Sequence, residues 1–180
     1  CILCEVGRQC PTWGMSKPEL CAAGFVCDIE GISTPSNLCP AGYYCEEGTT
    51  TTKPYTSIYS PKPCPSGSAC PSGTAHNITG SWLPSFEMGR IAPQPCAEGY
   101  HCPENSSSIM GGGQCPPGHY CPPQSAVPIK VPPGTYAGEE GGAIAPSLCL
   151  PGTFSPQPGS ISCAKCPAGY SCLTYGTYIP

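Results

Sequence analysis

The chain has 180 residues, of which 17 are Cys, 26 Pro and 23 Gly, and Leu, Ile, Val and Phe together supply only 25 side chains, too few for an ordinary apolar core. Its net charge of -4 arises from 7 basic and 11 acidic residues, and the scattered Lys and Arg exclude the basic patches that nucleic acid or an anionic membrane would need. No stretch approaches the roughly 18 apolar residues of a membrane span, no signal-peptide pattern is present, and cysteine at this density points to a disulfide scaffold in an oxidising compartment, secreted or on the cell surface.

Along the chain one short pattern recurs, C-x-x-G-x-x-C. "CEVGRQC" begins at 4, "CAAGFVC" at 21 and "CPAGYYC" at 39, so residues 1–45 read as cysteine-rich repeats. The stretch "EEGTTTTKPYTSIYSPKP" at 46–63 then lengthens the spacing to 25. Its Thr, Ser and Pro content is that of O-glycosylated stalks, with Thr49, Thr50, Thr51 and Thr52 as acceptors and a flexible linker as the alternative. Repeats resume over 64–121 with "CPSGSAC" at 64, "CAEGYHC" at 96 and "CPPGHYC" at 115. The 32-residue step between the first two is close to two units, and places a degenerate unit near "GSWLPSF" at 80–86, which plugs its own gap in the core in preference to contacting a neighbouring chain.

A cysteine-poor region, 122–148, contains "VPPGTYA" at 131, and a final segment, 149–180, contains "CLPGTFS" at 149 and "CPAGYSC" at 166. With these included, the last copies begin 16, 18 and 17 residues apart, a period of about 17. Because the chain opens at Cys1 and not at Met, it is expected to be an internal piece of a longer secreted array.

"VPPGTYA" has lost both cysteines together, which is intelligible if the two cysteines of one copy bond each other and the loss of one would strand a thiol. That rule assigns Cys4–Cys10, Cys21–Cys27, Cys39–Cys45, Cys64–Cys70, Cys96–Cys102, Cys115–Cys121 and Cys166–Cys172. The copy at 149 keeps Cys149 but has Ser155 in the closing place, and the unassigned cysteine downstream is Cys163, so Cys149–Cys163 is expected. Cys1 is left unpaired within the chain, in the same frame as Cys163, and is expected to bond a cysteine about 14 residues upstream in preference to an interchain partner. Spacing alone leaves other connectivities open.

The expected fold is a set of small disulfide-rich repeats, an elongated rod of short β-hairpins and irregular loops with almost no helix. Pro in the second place of a copy pre-sets its φ and Gly in the fourth permits positive φ, so each loop carries turn chemistry where it must reverse. An aromatic residue follows the glycine in most copies, at Phe25, Tyr43, Tyr44, Tyr100, Tyr120, Tyr136, Phe154 and Tyr170, and these rings are expected to supply most of the sparse core. One seven-residue disulfide loop contributes about 2.4 kcal/mol by loop-closure entropy, against roughly 17–34 kcal/mol of backbone entropy for a 17-residue unit. One loop therefore does not hold one unit, and each must pack on the next.

The segment "CLPGTFSPQPGSISCAKCPAGYSC" at 149–172 resembles the ephrin-receptor-like cysteine-rich repeat, a module similar in style to the tumour-necrosis-factor-receptor repeat; elsewhere only its C-x-x-G-x-x-C half recurs. The resemblance implies receptor ectodomains or, in long arrays, surface and flagellar-hair (mastigoneme-like) proteins of protists and algae. The missing cysteines and the Pro- and Thr-rich inserts depart from the receptor pattern.

The functional expectation is a non-enzymatic extracellular structural glycoprotein that forms part of a filament or cell-surface coat with copies of itself. Neither nucleic acid nor membrane is a partner of this segment. Its covalent glycans are expected at Asn77 and Asn105, each in an Asn-x-Ser/Thr sequon in a cysteine-free stretch; Asn37-Leu-Cys39 is idle because Cys39 is bonded. No cofactor, catalytic residue or metal ligand is expected. Zinc sites favour paired C-x-x-C knuckles, whereas His101 and His119 stand where other copies carry Tyr, Phe, Val or Ser. A single Asp, Asp28, and three His give no triad. The pairs Glu46/Glu47 and Glu139/Glu140 read as solvated surface in preference to calcium sites. The alternatives are a receptor or adhesin ectodomain binding a protein ligand and, last, a protease inhibitor presenting residues 122–148.

Overall fold

The computed structural model describes residues 3–75 and 91–180. Cys1, Asn77 and the degenerate unit at 80–86 lie outside the described residues. Nine seven-residue loops organise the chain, and we number them 1 to 9 from their opening positions at 4, 21, 39, 64, 96, 115, 131, 149 and 166.

Seven of the nine loops carry inside them a strand only two residues long, and each pairs with a second two-residue strand just before the next loop opens: β1 (Arg8–Gln9), β2 (Glu19–Leu20), β3 (Phe25–Val26), β4 (Asn37–Leu38), β5 (Tyr43–Tyr44), β6 (Lys62–Pro63), β7 (Ser68–Ala69), β8 (Gln94–Pro95), β9 (His119–Tyr120), β10 (Ile129–Lys130), β11 (Thr135–Tyr136), β12 (Ser147–Leu148), β13 (Thr153–Phe154) and β14 (Ala164–Lys165). They form seven two-stranded antiparallel hairpins, β1–β2, β3–β4, β5–β6, β7–β8, β9–β10, β11–β12 and β13–β14. No helix is present among the described residues.

The register is the same in successive hairpins. The residue after the loop glycine faces the residue before the next loop's opening position: Arg8 faces Leu20, Phe25 faces Leu38, Tyr43 faces Pro63, His119 faces Lys130, Thr135 faces Leu148 and Thr153 faces Lys165. The strands stop at two residues because the glycine turn bounds one end and the closing position the other. Proline is accepted at Pro63 and Pro95 because each is the last residue of a strand at a sheet edge.

The chain divides into two compact units. One comprises Cys1–Gln94 with Glu104–Ser108 and contains loops 1 to 4; the other comprises Pro95–Pro103 with Ile109–Pro180 and contains loops 5 to 9. In both, the buried positions are cystines and small side chains. Val26, Val131, Thr74 and most of the half-cystines are the largest side chains removed from solvent, joined by Ala23, Ala69 and Ala75.

The aromatic rings do not fill this core, contrary to the expectation. Phe25, Tyr43, Tyr44, Tyr100, Tyr120, Tyr136 and Phe154 are half-buried and Tyr170 is exposed. A two-residue strand covers one side of such a ring and leaves the other to water, whereas most half-cystines are removed from solvent. Tyr43 illustrates the limit, packing on the Val26, Cys39 and Cys45 cluster while Tyr55 meets its ring edge-to-face with centroids 6.4 Å apart.

The 46–63 insert is folded on itself. Ser60 is buried, and its Oγ accepts from the backbone N–H of Ser57 at 2.8 Å and of Thr56 at 3.2 Å. Thr56 Oγ1 donates to the Lys53 carbonyl at 3.1 Å. Lys62 Nζ closes the base on Glu46 Oε2 at 2.7 Å.

Candidate functional site: the joint between repeats

The recurrent structure of this protein is the joint that each loop makes with the next, and it begins at the loop glycine. All nine sit at positive φ: Gly7 at 82°, Gly24 84°, Gly42 84°, Gly67 82°, Gly99 77°, Gly118 74°, Gly134 80°, Gly152 85° and Gly169 88°. This left-handed geometry turns both the N–H and the C=O of the glycine toward the following repeat.

The N–H donates to the carbonyl of the next loop's closing position. Gly7 bonds Cys27 at 2.8 Å, Gly24 Cys45 at 3.0 Å, Gly42 Cys70 at 2.8 Å, Gly99 Cys121 at 2.9 Å, Gly118 Ala137 at 3.0 Å, Gly134 Ser155 at 2.7 Å and Gly152 Cys172 at 2.7 Å. The glycine carbonyl accepts from the next loop's opening N–H, as in Cys21 to Gly7 at 2.8 Å, Cys64 to Gly42 at 2.9 Å and Val131 to Gly118 at 3.1 Å.

A second turn, whose left-handed residue stands three to five positions past a closing position, completes the joint. These residues are Gly31, Gly48, Gly73, Asn105, Gln124, Gly142, Gly159 and Gly176, with φ between 66° and 82°. The N–H of each donates back to the opening carbonyl of the preceding loop: Gly31 to Cys4 at 2.8 Å, Gly48 to Cys21 at 2.9 Å, Gly73 to Cys39 at 2.9 Å, Asn105 to Cys64 at 3.0 Å, Gln124 to Cys96 at 3.1 Å, Gly142 to Cys115 at 2.7 Å, Gly159 to Val131 at 2.8 Å and Gly176 to Cys149 at 2.9 Å. The next residue's carbonyl accepts from the preceding loop's closing N–H, as Thr49 does from Cys27 at 3.0 Å and Thr74 from Cys45 at 3.0 Å.

That residue is usually Ser or Thr, and its hydroxyl closes the turn by bonding the carbonyl three residues back. Thr49 donates to Glu46 at 2.7 Å, Thr74 to Pro71 at 2.6 Å, Ser125 to Pro122 at 2.6 Å, Ser160 to Gln157 at 2.8 Å and Thr177 to Thr174 at 2.7 Å. Burying a hydroxyl is tolerated only with such a partner. The same turns reach two loops back, because a Cβ built on Gly24, Gly42 or Gly99 would lie 2.6 Å from the carbonyl oxygen of Gly73, Asn105 or Gly142 respectively. Backbone thus packs on backbone at the loop glycine, and no side chain fits between.

Disulfides hold the loops in this shape. They join Cys4–Cys10, Cys21–Cys27, Cys39–Cys45, Cys64–Cys70, Cys96–Cys102, Cys115–Cys121 and Cys166–Cys172 at Cα separations of 5.7–6.2 Å. The eighth, Cys149–Cys163, closes a span of 14 residues with its Cα atoms 5.7 Å apart. In loop 7 Val131 and Ala137, 0% and 3% exposed, occupy the cystine's place. In loop 8 the buried Ser155 donates from its Oγ to Ser160 Oγ at 2.6 Å.

The modification candidates fall in different surroundings. Thr49 is 2% exposed with its hydroxyl engaged, so its place is in the joint, not on the surface. Thr50 and Thr51 are half-buried and Thr52 is exposed. Asn105 is exposed, and its backbone takes the left-handed place that glycine holds in most other second turns. Asn37 Nδ2 donates to Asp28 Oδ1 at 2.9 Å while Cys39 is tied to Cys45. The His101 ring lies over Gly112, and His119 stands in β9 with Nδ1 3.1 Å from the Pro117 carbonyl oxygen. Among the described residues, no group of three or more His, Cys, Asp or Glu is placed to hold a metal ion.

The second turn escaped the sequence reading. Its signal is the tract after each closing position, as in "PSGT" at 71–74, "PENS" at 103–106, "PPQS" at 122–125 and "EEGT" at 46–49. No family model matches the chain, and no curated protein matches it either.

Proposed function

We propose that this chain is part of an extracellular structural glycoprotein, a segment of a filament or cell-surface coat that assembles with copies of itself through repeated surfaces. The observation that carries this reading is the joint. The same set of main-chain bonds recurs from loop to loop, and the residues that recur most often are those that build it: the left-handed glycine of all nine loops, the cystine of most loops and the hydroxyl of most second turns. A protein under demand for one ligand site diversifies one region; this chain spends its regularity on propagation. Glycans at Asn105 and on exposed hydroxyls of the insert shield it from proteases, in keeping with the eight disulfides of an oxidising compartment. The resemblance of residues 149–172 to the ephrin-receptor-like repeat supports this reading, because such repeats occur in long arrays in surface proteins of protists and algae.

One feature favours the second reading, a receptor or adhesin ectodomain: Trp13 is fully solvent-exposed in the turn after loop 1, beside a shallow cleft lined by Pro11, Thr12, Met15 and Thr34. Electron microscopy of native, non-reduced material separates the two. Regular filaments whose density follows this chain, with added density at Asn105, are expected; isolated particles at every concentration would move the assignment to the ectodomain.

A further inference from the structure

The insert at 46–63 contains no cysteine, yet one residue in it is held in an unfavourable backbone conformation. Tyr55 has φ 60°, in the left-handed region that a bulky side chain rarely enters. Asn105 and Gln124, the other non-glycine residues at positive φ among those described, serve second turns; Tyr55 belongs to no joint. Bonds on its C-terminal side fix the conformation: Thr56 Oγ1 donates back across it to the Lys53 carbonyl at 3.1 Å, and the buried Ser60 Oγ accepts from the Thr56 and Ser57 N–H groups at 3.2 and 2.8 Å. An outlier fixed in this way directs attention to what its side chain is held against. That group is Tyr43, whose ring meets the Tyr55 ring edge-to-face at 78° with centroids 6.4 Å apart.

We propose that Tyr43 and Tyr55 form a covalent modification site, at which a peroxidase-type one-electron oxidant working with hydrogen peroxide joins the two rings as dityrosine. The rings are unequal in a way that suits the reaction. Tyr55 is 70% exposed and open to the oxidant, whereas Tyr43 is half-buried on the Val26, Cys39 and Cys45 cluster and fixes where coupling occurs. Each phenol gives up one electron and one proton, and one hydrogen peroxide accepts both pairs to become two waters. The two phenoxyl radicals then form one carbon–carbon bond between ring positions ortho to the hydroxyls. The hydrogens displaced from those carbons return to the two oxygens, so both phenols are restored and the chain has lost two hydrogens in all.

Such a bond does for the insert what cystine does for the loops. It ties the middle of a cysteine-free stretch to loop 3, and as a carbon–carbon bond it survives reductants that open disulfides. Neighbouring tyrosines compete poorly for it. Tyr44 is the next residue of β5, where successive side chains point to opposite faces, and Tyr59, although exposed, lies beyond the turn that Ser60 closes. A partner on the same short span is present at an effective concentration of about millimolar, so in a micromolar solution coupling within the chain outruns coupling between chains. The inference goes beyond the filament reading and does not depend on it.

The test treats the disulfide-intact chain, in micromolar solution, with a haem peroxidase and hydrogen peroxide, then reduces it and cleaves after Glu46 and Glu47, which separates the two tyrosines in sequence. Mass spectrometry is expected to find the two resulting peptides joined, two hydrogens lighter than their sum, with fragment ions placing the bond at Tyr43 and Tyr55. Tyr43→Phe and Tyr55→Phe keep the ring packing and are expected to lose this product, while Tyr44→Phe and Tyr59→Phe keep it. A reduced and alkylated chain, unfolded before oxidation, is expected to lose the preference and spread its links over Tyr44 and Tyr59 as well. No link between positions 43 and 55 in the folded wild type would overturn the site. So would joined peptides in undiminished yield from Tyr43→Phe or Tyr55→Phe, or the same preference in the unfolded chain, since the geometry would then not be selecting the pair.

Discussion

Loop 7 offers a direct trial of the idea that cystine and a small apolar pair are alternative fillings of one site. Val131 and Ala137 are buried at 0% and 3% exposure, and their backbone groups make the bonds that half-cystines make elsewhere: Val131 N–H to Gly118 at 3.1 Å and Gly118 N–H to the Ala137 carbonyl at 3.0 Å. The double substitution Val131→Cys with Ala137→Cys should therefore close a disulfide without moving the backbone. A seven-residue loop contributes about 2.4 kcal/mol by loop-closure entropy. Trimming the buried valine costs roughly 1 kcal/mol, on the scale of an Ile to Val change. The net gain is about 1–2 kcal/mol. Thiol titration of the unfolded chain reads closure, and denaturant unfolding of the non-reduced protein reads stability. Val131→Cys alone has only the loss, about 1 kcal/mol, with one titratable thiol added. If the double variant shows two free thiols more than wild type, or closes and is destabilised, loop 7 does not share the geometry of the cystine loops and the reasoning fails.

Three further outcomes follow from the joint. Gly118→Ala should destabilise the chain more than Gly152→Ala: both incur about 1–2 kcal/mol for a side chain at positive φ, but the Gly159 carbonyl occupies the new Cβ position at Gly118, whereas that space is open at Gly152. Equal losses by denaturant unfolding would remove the backbone-on-backbone contact from the account. Thr74→Val strips a buried hydroxyl that donates to the Pro71 carbonyl at 2.6 Å and should cost about 1–3 kcal/mol, against no measurable change for exposed Thr52→Val; parity between the two would contradict the turn assignment. Asn105→Gly supplies the residue that this left-handed position favours (φ 67°) while deleting the sequon, so the secreted variant should keep its disulfides and stability and lose the mass of one glycan. A native mass at Asn105 equal to the bare peptide would reject the glycan.

How legible this was in the sequence depends on which residues carry the information. The nine loops are readable because C-x-x-G-x-x-C is rigid in spacing, and because the glycine's role, positive φ, is a property of that residue alone. The short hairpins and the lack of helix follow from proline and glycine recurring too often for longer elements to grow. The second turn was not readable, since its left-handed residue varies among Gly48, Asn105 and Gln124, its hydroxyl alternates between Ser125 and Thr74, and its distance from the closing position shifts from loop to loop. Partners such as Gly73 and Gly24 are distant in sequence and meet only through stacking. The aromatic positions misled for a related reason. Tyr43 and Phe154 recur like core residues, yet the element available to cover each is two residues long.

The same reasoning changes the meaning of Thr49 and Asn105. Composition makes the first an O-glycan acceptor and the second an N-glycan acceptor, while geometry gives both a turn role. For Thr49 the turn role removes it from the surface; for Asn105 the side chain stays exposed, so the turn role is compatible with the proposed glycan.

The central claim is that each loop glycine is locked by the repeat that follows it. Site-resolved amide exchange by NMR on the dilute, disulfide-intact chain tests this directly. Slow exchange is expected at Gly7, Gly24, Gly42, Gly99, Gly118, Gly134 and Gly152, whose N–H groups are bonded to the next loop, and fast exchange at Gly169, whose N–H has no partner among the described residues. Uniformly fast exchange at all eight would mean that the loops are held by their disulfides alone and that the joint does not exist in solution.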